Sequence, residues 1–307
     1  PTPHPPAGGG SQPADQVTTT PGATYARGSE ELAAFDFLNA ERARCGFGQL
    51  AQNTKLDAAA KAHADYQLLN NLFQHTENRS THPNGFTGAT PWDRFAYQGY
   101  TNLGGGVDQI TGITGTADKA GFGVQGMRNL LNAPYHLKGL VAGMREMGVS
   151  VRSSNDTSTP QARVLLQYDA AYTLAAGPQL LSSTDVQTYP CEGSAGVNRQ
   201  LTNESPAPVP GRNLQANPLG TSVYFSVRSG QALIVRSVTM TDARTGSQVA
   251  LRGVVNSGSD PHGEFLAHEA YVAADAPLAA NTSYQVTVTG TNNGTSFSRT
   301  FTFTTGS

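Results

Sequence analysis

The residues able to do chemistry are few in this 307-residue chain, and most lie in its first half. His75 and Glu77 stand together in Phe73-Gln74-His75-Thr76-Glu77, His63 precedes them, and His136 follows in Ala133-Pro134-Tyr135-His136. A neutral imidazole is a metal ligand, a base or a hydrogen-bond partner, and a carboxylate at the same point adds to a metal set or completes an acid–base pair. Taken alone, His75-x-Glu77 reads equally as two polar groups facing water after a helix. His63, in AAKAHADY, reads as a helix-surface or capping histidine. There is no HExxH and no GxSxG, so neither a helical zinc pair nor a nucleophile elbow is written locally. Gly104-Gly105-Gly106 lacks the lysine of a phosphate loop and is expected to be a flexible loop. In the second half, His262, His268 and Glu269 read as scattered surface groups, with His268 and Glu269 on opposite faces of a strand.

Composition narrows the classes. Twenty basic and 22 acidic residues give a net charge of −2, which argues against a basic face for nucleic acid or anionic membrane. Charged residues are only 14% of the chain, against a usual share of about 25%. No segment approaches the roughly 18–20 apolar residues of a membrane span. The chain opens at Pro1, and residues 1–27, rich in Pro, Gly, Ser and Thr, are expected to be a flexible leader of the kind left by a cleaved secretory signal. Cys45 and Cys191 fit no zinc or redox motif. In an oxidising compartment they pair, tying the start of one domain to its end; otherwise they are two buried thiols.

The elements that must position these residues fall into two textures. Over 28–192 the pattern is mixed. Helices are expected from Ser29 to about Cys45, from Thr54 to about Leu72, after Thr90-Pro91, and over 117–132, followed by strands at Met147–Arg152 and Arg163–Tyr168. Residues 193–212, with NESPAPVPG, read as a linker or domain entry. Over 213–307, six short segments alternate at period two (TSVYFSV, ALIVRSVTM, VALRGVV, FLAHEAYVA, SYQVTVTG and SFSRTFTFTT), with Asn292-Asn293-Gly294 as a hairpin turn. That pattern suggests an immunoglobulin-like β-sandwich.

The first half also resembles a known family. Leu38-Asn39-Ala40-Glu41-Arg42, the entry from Leu50 to Leu56, and Phe73-Gln74-His75 are similar to the opening of CAP (SCP-domain) proteins: cysteine-rich secretory proteins, antigen-five allergens and pathogenesis-related proteins, in bacterial style. Arg94 with Gly99-Tyr100, Ala133-Pro134-Tyr135-His136 and Met147–Val151 match later elements of that family in order. The resemblance implies an α+β fold, a three-layer α-β-α sandwich, followed here by the immunoglobulin-like module. It also implies a cleft lined by two histidines, His75 and His136, and two acidic residues, able to take a divalent metal such as zinc. The family's first acidic position departs to Asp108-Gln109. The second has no match before His136, where Asn129 and Asn132 are the nearest polar groups, and Glu77 is the other available carboxylate.

The expected ligand-binding residues are therefore His75, His136, Glu77, Asp108 and Tyr135, with His75 and His136 as metal ligands. Phe73, Phe86, Trp92, Phe95, Tyr97, Tyr100 and Tyr135 are the candidate apolar wall. The expected protein is extracellular, periplasmic or on the cell surface. It is expected to be non-enzymatic and to bind a small amphipathic ligand, such as a lipid or sterol, or a cell-surface component. Two other readings compete: a metal-dependent peptide or ester hydrolase using His75 and His136 with Asp108 or Glu77 as base, and an adhesive or structural protein acting through its β-module.

Overall fold

The computed structural model describes residues 15–157 and 161–307. Its first helix, α1 (Glu30–Cys45), starts where Ser29 accepts a hydrogen bond from the Leu32 amide and ends at Gly46, whose φ of 77° is left-handed. A short strand, β1 (Ala51–Gln52), leads into α2 (Thr54–Leu69). The α2 cap is Asn53 rather than Thr54, and the helix stops before Leu72. Thr90 and Asp93 form a reciprocal capping box at α3 (Pro91–Tyr97).

Strand β2 (Leu103–Thr114) takes in all three glycines of 104–106, which were expected to form a loop. They are glycines because other groups come too close for a side chain. A Cβ on Gly105 would lie 2.6 Å from the Tyr172 hydroxyl, and one on Gly106 would lie 2.7 Å from the Trp92 ring. Helix α4 (Phe122–Asn132) is shorter than the expected 117–132, because the Glu30 carboxylate accepts from the amides of Gly121 and Gly123 and so fixes its start. Pro134 ends α4 and also opens α5 (Pro134–Val141), a helix the sequence reading missed.

Strands β3 (Glu146–Ser153) and β4 (Arg163–Thr173) complete a sheet in the order β1-β3-β4-β2. The β1–β3 pair is parallel and the others are antiparallel. Val149, Val151, Leu166, Tyr168 and Ala170 pack against α1, α4 and α5 in one core, while Ala171 joins Leu56, Ala59, Phe95 and Tyr100 of the α2–α3 side in another. Helices thus cover the sheet on both faces.

The second half contains two four-stranded sheets. One runs β5 (Gln187–Tyr189), β7 (Ser222–Ser226), β10 (Glu269–Ala273), β9 (Val255–Asn256). The other runs β6 (Ala195–Val197), β12 (Thr295–Thr305), β11 (Ser283–Asn292), β8 (Leu233–Asp242). Val223, Phe225, Val272, Val286, Val288, Phe301 and Phe303 share the core between them. The β11–β12 turn has positive φ at both Asn293 and Gly294, as a two-residue hairpin requires. VALRGVV is not a full strand: it supplies one bridge at Leu251 and, in Val255, the first of the two residues of β9.

The two halves are closely joined. Cys45 and Cys191 form a disulfide, and Cys191 lies between β5 and β6, so the bond ties α1 to the second half rather than closing the first half on itself. Tyr135 of α5 shares the first core with Tyr224, Phe265 and Tyr271 of the second half. Of the expected flexible leader, residues 1–14 lie outside the described residues. Residues 15–27 are fastened to the body: Leu180 donates to the Asp15 carbonyl, Gln49 to the Val17 carbonyl, and the Thr24 amide to Gln52. Polar backbone compensates there for the missing apolar groups.

Candidate functional site

The cleft is built from four pieces of chain. The turn after α2 brings Phe73, Gln74 and His75 to one side, and the β2 edge from Ile110 to Ile113 forms the floor. The α4–α5 junction supplies Asn129, Asn132, Ala133 and His136, and residues 198 and 200–205 close the far side. The enclosed volume is about 510 Å³.

His75 and His136 therefore line one cleft, and each is held by a carboxylate. The His75 Nδ1–H donates to Asp108 Oδ1 in a short hydrogen bond. Asp108 is itself fixed by Arg94 Nη2 at 2.7 Å and by the Gln167 amide at 2.6 Å. Arg94 is fully buried, and its Nη1 also donates to the His75 carbonyl, which locks the loop that carries the imidazole. Burial would raise the Asp108 carboxyl. The His75 hydrogen bond and the charge of Arg94 outweigh it and hold the group below its ordinary range.

Asp108 pairs across the sheet with Asp169, and the Gln167 amide bridges the two at 2.6 and 2.8 Å. Asp169 is pushed well above the carboxylate range, first by burial and then by the Asp108 charge. The charge on Asp108 thus favours the neutral form of its neighbour.

On the other side, the His136 Nδ1–H donates to Glu204 Oε1 at 2.7 Å. Glu204 is buried, and burial raises its carboxyl against the opposing pull of His136. This carboxylate was missed because it lies in NESPAPVPG, where proline content signalled only a linker. No feature of the sequence places residue 204 beside residue 136. With Nδ1 occupied, the Nε2 atoms of His75 and His136 have no hydrogen-bond partner among the described residues. Each can meet a ligand, as an acceptor when the ring is neutral and as a donor when it is protonated.

Glu77 and Tyr135 are elsewhere. Glu77 is buried beneath the loop, where its carboxylate accepts from His63 at 2.9 Å and from the Thr87 amide at 2.7 Å. His63 is accordingly fully buried rather than a helix-surface group, with both ring nitrogens engaged, Nε2 by the Gln74 carbonyl. The pair braces the loop that presents His75. The Tyr135 hydroxyl donates to Asp260 at 2.6 Å, and its ring packs on His262, Phe265 and Tyr271, so it serves the junction between halves and not the cleft.

Of the candidate wall, only Phe73 lines the cleft, and it is 53% exposed. Phe95 and Tyr100 are core. Trp92 packs edge-on against Phe95, Tyr97 is exposed, and Arg79 lies over the Phe86 ring. Glu269, read as a surface group, is buried and accepts from Tyr224 at 2.8 Å.

Among the described residues no three His, Cys, Asp or Glu side chains gather as a metal set, and the carboxylates that touch His75 and His136 do so at Nδ1. Nor does any Ser or Thr hydroxyl of the cleft hydrogen-bond either imidazole among the described residues, as an activated nucleophile requires. No described helix is long and apolar enough to cross a membrane.

Among curated proteins none matches the chain. Two solved structures are similar in part. One is an extracellular protein containing a SCP domain from Bacillus anthracis str. Ames, at 21% identity, TM-score 0.36, covering 47% of this chain and 40% of that one. The other is an outer surface protein from Borrelia burgdorferi, at 14% identity and TM-score 0.36, covering 48% of this chain and 97% of that one. The chain thus spans well under half of the Bacillus protein's length. Residues 35–168, which carry both cleft histidines and Asp108 but not Glu204, match the model of CAP, the cysteine-rich secretory protein family.

Proposed function

We propose that this is a secreted or surface-exposed binding protein that holds an amphipathic ligand, or part of a surface partner, in the His75–His136 cleft without turning it over. The observation that carries the reading is the lining of the 510 Å³ cleft. Two imidazoles fixed by carboxylates offer hydrogen-bonding nitrogens, amide side chains of Asn129, Asn198 and Gln200 surround them, and Phe73, Ile110, Ile113, Leu130 and Leu201 supply the apolar remainder. A hydrolase would need a nucleophile or an activated water beside these imidazoles, and the hydroxyls present are not paired with them. Extracellular placement rests on the secretory family matched and on the Cys45–Cys191 bond, since disulfides persist in oxidising compartments. The two-sheet second half is proposed as an immunoglobulin-like module that completes the cleft wall.

Titration with a fluorescent acyl probe, dansyl-undecanoic acid, tests the reading. Saturable binding at one site is expected, weakened about tenfold or more by Phe73→Asp, because a charge would sit on the exposed ring position. Absence of saturable binding, together with ester turnover abolished by His75→Ala, would overturn it in favour of the hydrolase.

A further inference from the structure

Strand β2 is the edge of its sheet, bonded to β4 on one side only. Among the described residues, no backbone hydrogen bond links Leu103–Thr114 to any element but β4. In an antiparallel pair, alternate residues turn both their N–H and C=O away from the partner. About half of this twelve-residue edge therefore presents free donors and acceptors. Such an edge is normally covered, bulged or charged. From Ile110 to Thr114 it carries no bulge and no charge and beyond the buried Ile110 is only partly covered, and it runs along the floor of the cleft.

The cleft also continues. A second hollow of about 530 Å³ shares Phe73, Gly112, Ile113, Thr202 and Asn203 with the first and extends the same edge to Thr114. Together they form a trough with β2 along its floor, Phe73 over Gly112 on one side, and the exposed Thr202 and Asn203 on the other. Its rim is mostly Asn, Gln and Thr side chains, which suit peptide groups, and the Arg163 guanidinium beside it is taken up by Asn71 and the carbonyls of Gln67 and Leu72. The Nε2 atoms of His75 and His136 suit the amide and hydroxyl groups of a peptide.

We propose that the occupant of this trough is an extended peptide segment of a partner protein, added as a strand to the free edge of β2 from Ile110 to Thr114. The proposal rests on the binding reading above and names its ligand class. Backbone pairing would supply affinity with little sequence demand, and side chains of one parity would meet Phe73 and the cleft.

The experiment selects linear heptapeptides from a displayed random library on the intact chain and synthesises the best binder. Two further versions carry N-methyl groups on the amides of odd or even positions. The expected result is a loss of tenfold or more for one parity of methylation and little change for the other, with slowed hydrogen exchange over 110–114. Thr202→Arg, on an exposed position that fills the trough, should abolish binding while leaving the melting temperature unchanged. Equal tolerance of both methylated versions, or binders indifferent to Thr202→Arg, would overturn the proposal. So would a concentration-dependent dimer lost in Thr202→Arg, which would place a second copy of this chain on the edge. If dansyl-undecanoic acid binds and no such peptide does, the cleft still binds ligands and only the strand addition fails. If neither binds, the binding reading itself fails.

Discussion

Asp108 joins more of the site than any other side chain. It accepts from His75, Arg94 and Gln167, and Arg94 has no other carboxylate nearer than Glu77 at 3.9 Å. Asp108→Asn should therefore destabilise the protein by about 3–5 kcal/mol, the usual cost of leaving a buried charge without its partner. Urea unfolding at pH 7 measures this. Asp169 behaves in the opposite sense. Its carboxyl is raised in the folded state, so the folded protein keeps a proton that the unfolded chain gives up. That contribution is complete below the ordinary carboxylate range and is lost as pH rises through the raised value. Asp108, held low, contributes stability that is lost only as pH falls through its lowered value. Asp169→Asn should thus flatten the decline in melting temperature on going from pH 5 to pH 8, relative to the native chain. A steeper decline in the variant would contradict a raised Asp169 carboxyl.

Single positions decide how the elements meet. The capping box at Thr90 sets the start of α3 and hence the place of Arg94, so Thr90→Ala should cost about 1 kcal/mol by thermal unfolding and broaden the His75 ring signals in NMR. Gly148 lies on β3, where a Cβ would come within 2.1 Å of the α2 backbone at Leu56 and Asp57. Gly148→Ala should be worse than an ordinary overpacked site, whose cost is about 1–3 kcal/mol, because backbone cannot swing aside as a side chain can. Arg42 belongs to the same scale: buried, and pushed down to about 10 by that burial, it donates to the carbonyls of Phe47, Gly48, Leu140 and Ala142 and so pins the end of α1 to that of α5. The LN-x-x-R signature is thus a brace for the cleft scaffold, with no part in the cleft itself.

At the scale of the whole molecule, the cleft belongs to both halves. Residues 35–168 supply the two histidines, while Glu204 and the wall from 200 to 205 come from beyond them. The disulfide and the Tyr135–Phe265–Tyr271 contact hold the halves in register. Reduction of Cys45–Cys191 should lower stability by about 2–5 kcal/mol, read from the urea midpoint with and without reductant. Glu204→Gln keeps the fold but replaces the buried carboxylate. It should move the His136 ring signals in NMR while leaving those of His75 in place, because only His136 loses its carboxylate partner.

Local chemistry wrote much of this protein. Ser29, Thr90-Pro91, the Gly after Cys45 and Asn293-Gly294 mark their caps and turns through bonds that span a few residues, and the residues quoted for the CAP likeness fall where its model matches. His75 and Asp108 became legible as site candidates only through that likeness, because His75-x-Glu77 taken alone reads equally as two polar groups facing water. What lies beyond those spans was decided only in three dimensions. The pairing of β2 made a strand of three glycines, burial turned His63 and Glu77 into a brace, and packing drew Tyr135 to the junction. Glu204 reached His136 across 68 positions because the second half folds back on the first, and neither composition nor spacing encodes that return.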